Sequence, residues 1–504
     1  MNMSLTETVA HTPSGDVRGE RVDGVLRFLG LPYAAPPVGA LRFALPQPPA
    51  AWRGVRAATR RGAIAPQPIP TPAERKRFLP GIDTGPLMDY DQPPGDDFLL
   101  LNIWTPPGAQ NAPVMVFFHG GGFLGGAGAA DICDGAAFAR AGVVCVTINY
   151  RLGVEGFLTL PDSPANLGLR DQIFALRWVQ EAIAGFGGDP ANVTVFGESA
   201  GGMSIANLMV SPLATGLFKR AIIQSGHGDM VRPLDVAERL TKRVAKILRI
   251  KPTLEGFRSR SFEDCIRALK KVSLPTSSID LRNPDGREPT FGFMRFTPVY
   301  GDDVLPEHPI KALQSGAGAD IHLLIGANRE EMNLYFVPNG VRRNIPRFLA
   351  YWLAKKSEPK AREVLRAYGI NKQGRRAGDA FTEALTDIVF RLPVRRFAGA
   401  HQGQTHVYDF GWRSTACNGA LGACHALDIA FVFNTLSTVT GPRGLAGENP
   451  PQSLADHMNR LWTDFAASGA LPWGEYTAEN RLVYHPETGE AATEPQMPCE
   501  RVLS

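Results

Sequence analysis

Short, uninterrupted apolar runs punctuate the chain at Val114–Phe118, Val143–Ile148, Val193–Phe196, Ala221–Ile223 and Ile321–Ile325. A strand reads as continuously apolar, rather than alternating, when both of its faces are covered, so these runs predict buried and mostly parallel strands. Between the second and third runs, Ile173, Leu176, Val179, Ile183 and Phe186 recur at spacings of three and four, the single apolar stripe of a helix packed on a sheet. From about residue 233 onward helices and loops mix and strand signals thin out. The pattern predicts an α/β fold in one domain spanning residues 1–504: a large, mostly parallel central sheet flanked by helices, with helical insertions over the site. The proline-rich stretch from Pro66 to Pro94 reads as a long loop over the body.

In an open sheet of this kind, sites lie beyond the carboxyl ends of the strands. The polar segments that directly follow the apolar runs are His119–Gly122, Asn149–Arg151, Glu198–Gly202, Ser225–His227 and Asn328–Glu331. Two of them carry chemistry. Gly197-Glu198-Ser199-Ala200-Gly201 follows a strand and precedes a helix-compatible segment, the setting in which Gly-x-Ser-x-Gly makes a nucleophile elbow. His119-Gly120-Gly121-Gly122-Phe123 abuts the earlier strand Val114–Phe118. Glycines there let backbone N–H groups approach a substrate carbonyl on which negative charge develops; one such donor is worth roughly 3–4 kcal/mol of barrier.

These two motifs lie within a longer likeness. Phe28-Leu29-Gly30-Leu31-Pro32-Tyr33-Ala34, Pro36-Pro37-Val38-Gly39, Leu41-Arg42-Phe43, Trp52-Arg53-Gly54-Val55, Asn149-Tyr150-Arg151, the run from Asn166 through Gly202, and Leu461-Trp462-Thr463-Asp464-Phe465-Ala466 resemble the type B carboxylesterase family nearly end to end. That family includes bacterial p-nitrobenzyl and carbamate esterases, animal carboxylesterases and cholinesterases. The resemblance implies the α/β-hydrolase fold and a triad in the order Ser, Glu, His. It points to His425 in Gly422-Ala423-Cys424-His425, and to Glu331 in Gly326-Ala327-Asn328-Arg329-Glu330-Glu331-Met332. Met332 stands where the family has a glycine, which leaves the register between Glu330 and Glu331 open by one. The resemblance further implies oxyanion donors at Gly121, Gly122 and Ala200 and a supporting hydroxyl at Ser225. Glu198 either tunes the local field or merely fills the turn. Phe98 replaces the cysteine of the family's first disulfide in secreted relatives. No tryptophan lies between Trp52 and Trp104, which disfavours a choline-ester specialist, because cation–π recognition needs such a ring.

Composition narrows the setting. A net charge of +4 over 504 residues calls for no nucleic-acid partner. No apolar run reaches the roughly 18 residues of a membrane span, and Met1–Ala10 lacks the basic and apolar parts of a secretory signal. Six scattered cysteines have neither zinc-ligand nor CxxC spacing, so no metal and no cofactor is expected, and a reducing cytoplasm is the expected location. Cys145, within an apolar run, reads as a small buried hydrophobe. The expected partner is a small-molecule ester; oligomeric state stays open. Three functional readings remain: a carboxylic ester hydrolase, a hydrolase of a carbamate, amide or lactone, and a binding protein that has lost catalysis. Retention of serine and histidine argues against the third. An unperturbed histidine base would make activity rise through about pH 6–7.

Overall fold

The computed structural model describes residues 8–274, 277 and 279–503. The reading of Met1–Ala10 falls, for its first seven residues, outside them. An eleven-stranded sheet forms the centre. Its strands, in chain order, are β1 (Glu20–Val22), β2 (Val25–Pro32), β3 (Leu100–Thr105), β4 (Ala112–Phe118), β5 (Val144–Ile148), β6 (Gly188–Glu198), β7 (Arg220–Gln224), β8 (His322–Asn328), β9 (Thr405–Phe410), β10 (Leu482–His485) and β11 (Glu490–Thr493). Their spatial order is β11-β10-β9-β8-β7-β6-β4-β5-β3-β2-β1. From β5 across to β10 neighbouring strands run parallel; the outer pairs are antiparallel.

The apolar runs are continuous because the sheet is covered twice. In β4, Val114, Val116 and Phe118 enter one core while Met115 and Phe117 enter the other. In β8, Leu323 and Ile325 enter the first and Leu324 the second. Alternate side chains point to opposite faces, so each face receives its own apolar set. Helix α1 (Leu167–Ala182) covers the first face and continues as a single 3₁₀ turn, Ile183–Phe186, so the predicted stripe belongs to two consecutive helical segments. Helix α2 (Ala200–Leu208) packs on the first face, and α3 (Gln452–Ser468) covers the second with Met458, Trp462 and Phe465.

One expectation needs correction. The Pro66–Pro94 stretch contains two short helices, Pro72–Phe78 and Gly85–Met88. The first is started by a reciprocal cap: the Thr71 hydroxyl accepts from the Glu74 N–H, and the Glu74 carboxylate accepts from the Thr71 N–H. Several residues of the resemblance serve as pins between distant segments. Buried Arg151 forks onto Asp171, Arg42 onto Glu155, and the Tyr150 hydroxyl donates to the His119 carbonyl at 2.7 Å.

Candidate active site

The singled-out polar residues converge beyond the carboxyl ends of the parallel strands. Ser199 follows β6 directly and stands before α2 with φ 55° and ψ −122°, a conformation rare for a residue with a side chain. Register explains why glycines surround it. Gly197 pairs with Phe118 of β4 on one side and Ile223 of β7 on the other. A Cβ on Gly201 would collide with the Phe118 carbonyl. The turn is therefore possible only with bare backbone two residues beyond the serine. The Ser199 N–H donates to the Gln224 carbonyl at 2.9 Å, tying the elbow to β7.

The glycine loop after β4 lies beside it. Gly121 and Gly122 have φ of 109° and 63°, and Gly120 approaches both Glu198 and the Ser199 Cβ. Among the described residues, the N–H groups of Gly121, Gly122 and Ala200 have no hydrogen-bond acceptor. His119 itself stacks on Tyr150 at 4.4 Å, and burial pushes its imidazole down to about 4. It holds the loop as a neutral ring.

Glu331 lies three residues past β8, fully buried. Its Oε2 is 2.6 Å from His425 Nδ1, and its Oε1 accepts from the Ser225 hydroxyl at 2.6 Å and the Asn328 N–H at 2.7 Å. Ser225, directly after β7, has φ 50°. Glu330 turns elsewhere: its carboxylate binds the Arg413 guanidinium and accepts from the Ala423 N–H at 3.0 Å. The adjacent acids thus face different partners, and Glu331 is the one that meets the imidazole. His425 sits in the loop between β9 and the helix Leu427–Val432; its N–H donates to the Glu331 carbonyl at 3.2 Å.

Glu198 also reaches the imidazole. Its Oε1 lies 3.2 Å from His425 Nε2, and it is 2 % exposed. Burial, with the Asp428 and Glu331 carboxylates adding to it, pushes its carboxyl up to about 8 against the pull of His425. Burial lowers the basicity of His425, but the carboxylates of Glu198 and Glu331 outweigh it and push the imidazole up to about 9. Among the described residues no hydrogen bond joins Ser199 Oγ to His425. Buried Asp428 braces the floor through Gln224 at 2.8 Å and Asn328 at 3.1 Å.

Sequence reasoning missed the aromatic surroundings. The Phe390 ring centroid lies 4.8 Å from that of His425, and Tyr335 lies 5.6 Å away. Half-exposed Phe293 leads outward from Tyr335 at 5.6 Å, and Met294 faces Gly122. These residues come from separated segments, and apolar side chains carry no chemical signature that would single them out.

A serine-bearing elbow on a parallel sheet, with an imidazole and a carboxylate brought in from later strands, makes this an α/β-hydrolase. The model of the carboxylesterase family matches residues 6–496. The chain is 35% identical to the para-nitrobenzyl esterase of Bacillus subtilis over 501 residues, 95% of this chain and 94% of that protein. It is 33% identical to the phenmedipham hydrolase of Pseudarthrobacter oxydans, covering 95% of each. The solved structure of a PNB esterase superposes with a TM-score of 0.83 at 32% identity over 99% of both chains. The chain belongs to the carboxylesterase family, and it is a carboxylic ester hydrolase acting on small-molecule esters. No helix among the described residues is long and apolar enough to cross a membrane.

Proposed function

We propose that hydrolysis proceeds through an acyl-enzyme on Ser199, with His425 as the base, Glu331 as its orienting acid, and Gly121, Gly122 and Ala200 as the oxyanion donors. The observation that carries the reading is the 2.6 Å contact between His425 Nδ1 and a Glu331 carboxylate held by two further donors. That contact fixes the proton on Nδ1 and leaves Nε2 as the lone-pair nitrogen. As Ser199 Oγ bonds to the ester carbonyl carbon, its proton passes to Nε2. The tetrahedral oxyanion takes up the unclaimed N–H groups of the glycine loop and Ala200. Collapse breaks the bond to the alcohol oxygen, and His425 returns the proton to that leaving group. Water then attacks the acyl carbon by the same route, releasing the acid and restoring the Ser199 hydroxyl. Catalytic hydrogen bonds tighten only when substrate is bound, which accommodates the absence of a Ser199–His425 bond among the described residues.

The aromatic wall of Phe293, Tyr335 and Phe390 favours esters with a flat apolar group, of the benzyl or aryl kind. A carbamate reading is favoured by the likeness to a phenmedipham hydrolase. Comparing kcat/KM for p-nitrophenyl esters and aryl carbamates separates the two. We place the enzyme in the cytoplasm of a bacterium, a reading supported by six free thiols, five of them buried, and by bacterial relatives; cell fractionation tests it. The mechanism is tested by Ser199→Ala. Turnover should fall at least about a thousandfold, and a fluorophosphonate probe that marks the native enzyme should leave the variant unmarked. Residual turnover within about tenfold of native, or a labelled variant, overturns the serine mechanism.

A further inference from the structure

Residues on either side of Glu331 serve a second space. Arg329, Glu330 and Asn333 line a cavity of about 500 Å³ that contains none of the catalytic groups. Its cationic lining consists of Arg329, Arg342, Lys372, Arg375, Arg391 and Arg413, against the carboxylates of Glu330, Glu383 and Asp387. A second cavity of about 560 Å³ adjoins it, sharing Arg342, Lys372, Arg375 and Glu383 and adding Arg376 and Asp379.

Most of these cations are committed. Arg329 is held by Asp409 and Glu487, and Arg391 by Asp387, Asp409 and Glu494. Arg413 binds Glu330, while Arg342 donates to Asp379 at 3.0 Å and to the Asn333 side chain at 2.7 Å. Such pairs make a stiff wall. Two donors are left over. Arg375 binds Glu383 through one terminal nitrogen, but its buried Nε has no acceptor. The Lys372 ammonium meets no acceptor among the described residues. Both line both cavities. The Arg375 side chain is a third exposed, so an acceptor brought to its unfilled N–H adds a hydrogen bond to the pair it makes with Glu383. An uncharged ester offers nothing to this surface. A planar guanidinium beside a free ammonium matches an oxyanion carrying more than one negative charge.

We propose that the joined cavities bind a small, multiply charged oxyanion of phosphate or polycarboxylate chemistry, held by Lys372 and Arg375 against the wall formed by Arg342. The site is separate from the esterase centre and does not depend on the catalytic assignments above.

The test titrates pyrophosphate and, separately, citrate into the full-length enzyme at ionic strength held constant with sodium chloride. Calorimetry and thermal unfolding follow binding, since a ligand that binds only the folded state raises the midpoint saturably. At least one of the two anions should do so, and which one does identifies the chemistry. Lys372→Gln removes an exposed, unpaired ammonium and leaves the fold intact. It should weaken binding about tenfold with p-nitrophenyl ester turnover unchanged. Lys372→Gln combined with Arg375→Gln should abolish the saturable component. No saturable effect of either anion beyond the sodium chloride control overturns the proposal. Native-like binding by the Lys372→Gln variant overturns it equally.

Discussion

Glu198→Gln should move the ascending limb of the kcat/KM profile to lower pH by at least about one unit. The carboxylate and the imidazole are both almost fully buried, with Oε1 3.2 Å from Nε2. At an effective dielectric of about 20, opposite unit charges at that distance attract by about 5 kcal/mol. That figure is a ceiling, because a carboxyl pushed up to about 8 by burial is only partly ionised through the lower part of the limb. One pH unit corresponds to about 1.4 kcal/mol, so a fraction of the ceiling suffices for a shift of one to two units. The sign follows from the base. As the proposed base, His425 must be neutral to accept the serine proton, and the carboxylates of Glu198 and Glu331 push its imidazole up to about 9. The native limb should therefore lie above the pH 6–7 expected for an unperturbed histidine, and loss of the Glu198 charge should let His425 deprotonate earlier. The assay is kcat/KM for p-nitrophenyl butyrate across the range from acid to mildly alkaline pH, corrected for spontaneous hydrolysis; it reports ionisations of the free enzyme. A limb that stays in place, or moves up, refutes the argument.

Glu331→Gln should lower kcat a hundredfold or more, because the imidazole loses a charge whose removal costs about 10⁴ in a serine protease. Glu330→Gln should remain within about tenfold, since that carboxylate clips Arg413 and the Ala423 N–H and does not touch the imidazole; the reverse order in steady-state kinetics would exchange the two roles. Gly201→Ala should lower the thermal midpoint by an amount matching at least about 1–3 kcal/mol, because the added methyl meets the Phe118 carbonyl; an unchanged midpoint would contradict the close approach. Activity should survive both chelator and mild reductant, since all six cysteines are free thiols; collapse with either reagent would point to a metal or a disulfide.

What was legible along the chain was whatever is written locally. The inner strands show because both faces are apolar, and the elbow shows because strand, turn and helix are contiguous. Strand β3 was not singled out although it lies inside the sheet: Asn102 interrupts it, buried there because it donates to the Thr147 hydroxyl and accepts from the Gly30 N–H. Strand β9 is hidden similarly by Asp409, whose charge is matched by Arg329, Arg391 and Arg395 from elsewhere in the fold. The short helix at Pro72–Phe78 did have a signal, threonine three residues before glutamate with proline at the first helical position, masked by surrounding prolines. His425 and Glu331 are 94 residues apart, and only the family resemblance joined them. No spacing rule could have done so, because their contact is made by the sheet.

Glu330 and Glu331 show why residue type alone underdetermines the site. Both are glutamates on one turn, yet one is clipped to an arginine and the other is sealed beneath an imidazole. Donor supply also separates the acids around His425. Glu198, Glu331 and Asp428 are all buried there beside a single imidazole, and a dry site cannot carry three bare negative charges against one positive one. The donors decide where a proton goes. Glu331 receives His425, Ser225 and the Asn328 N–H, and Asp428 receives Gln224, Asn328 and the Tyr408 hydroxyl at 3.2 Å. Glu198 receives the Ala426 N–H, and its Oε1 has no aligned donor. Glu198 is therefore the acid that shares its proton most directly with His425: its carboxyl is pushed up to about 8 beside an imidazole pushed up to about 9. In the acyl transfer proposed above, a Glu198 carboxyl that releases its proton would balance the cationic form of His425 3.2 Å away.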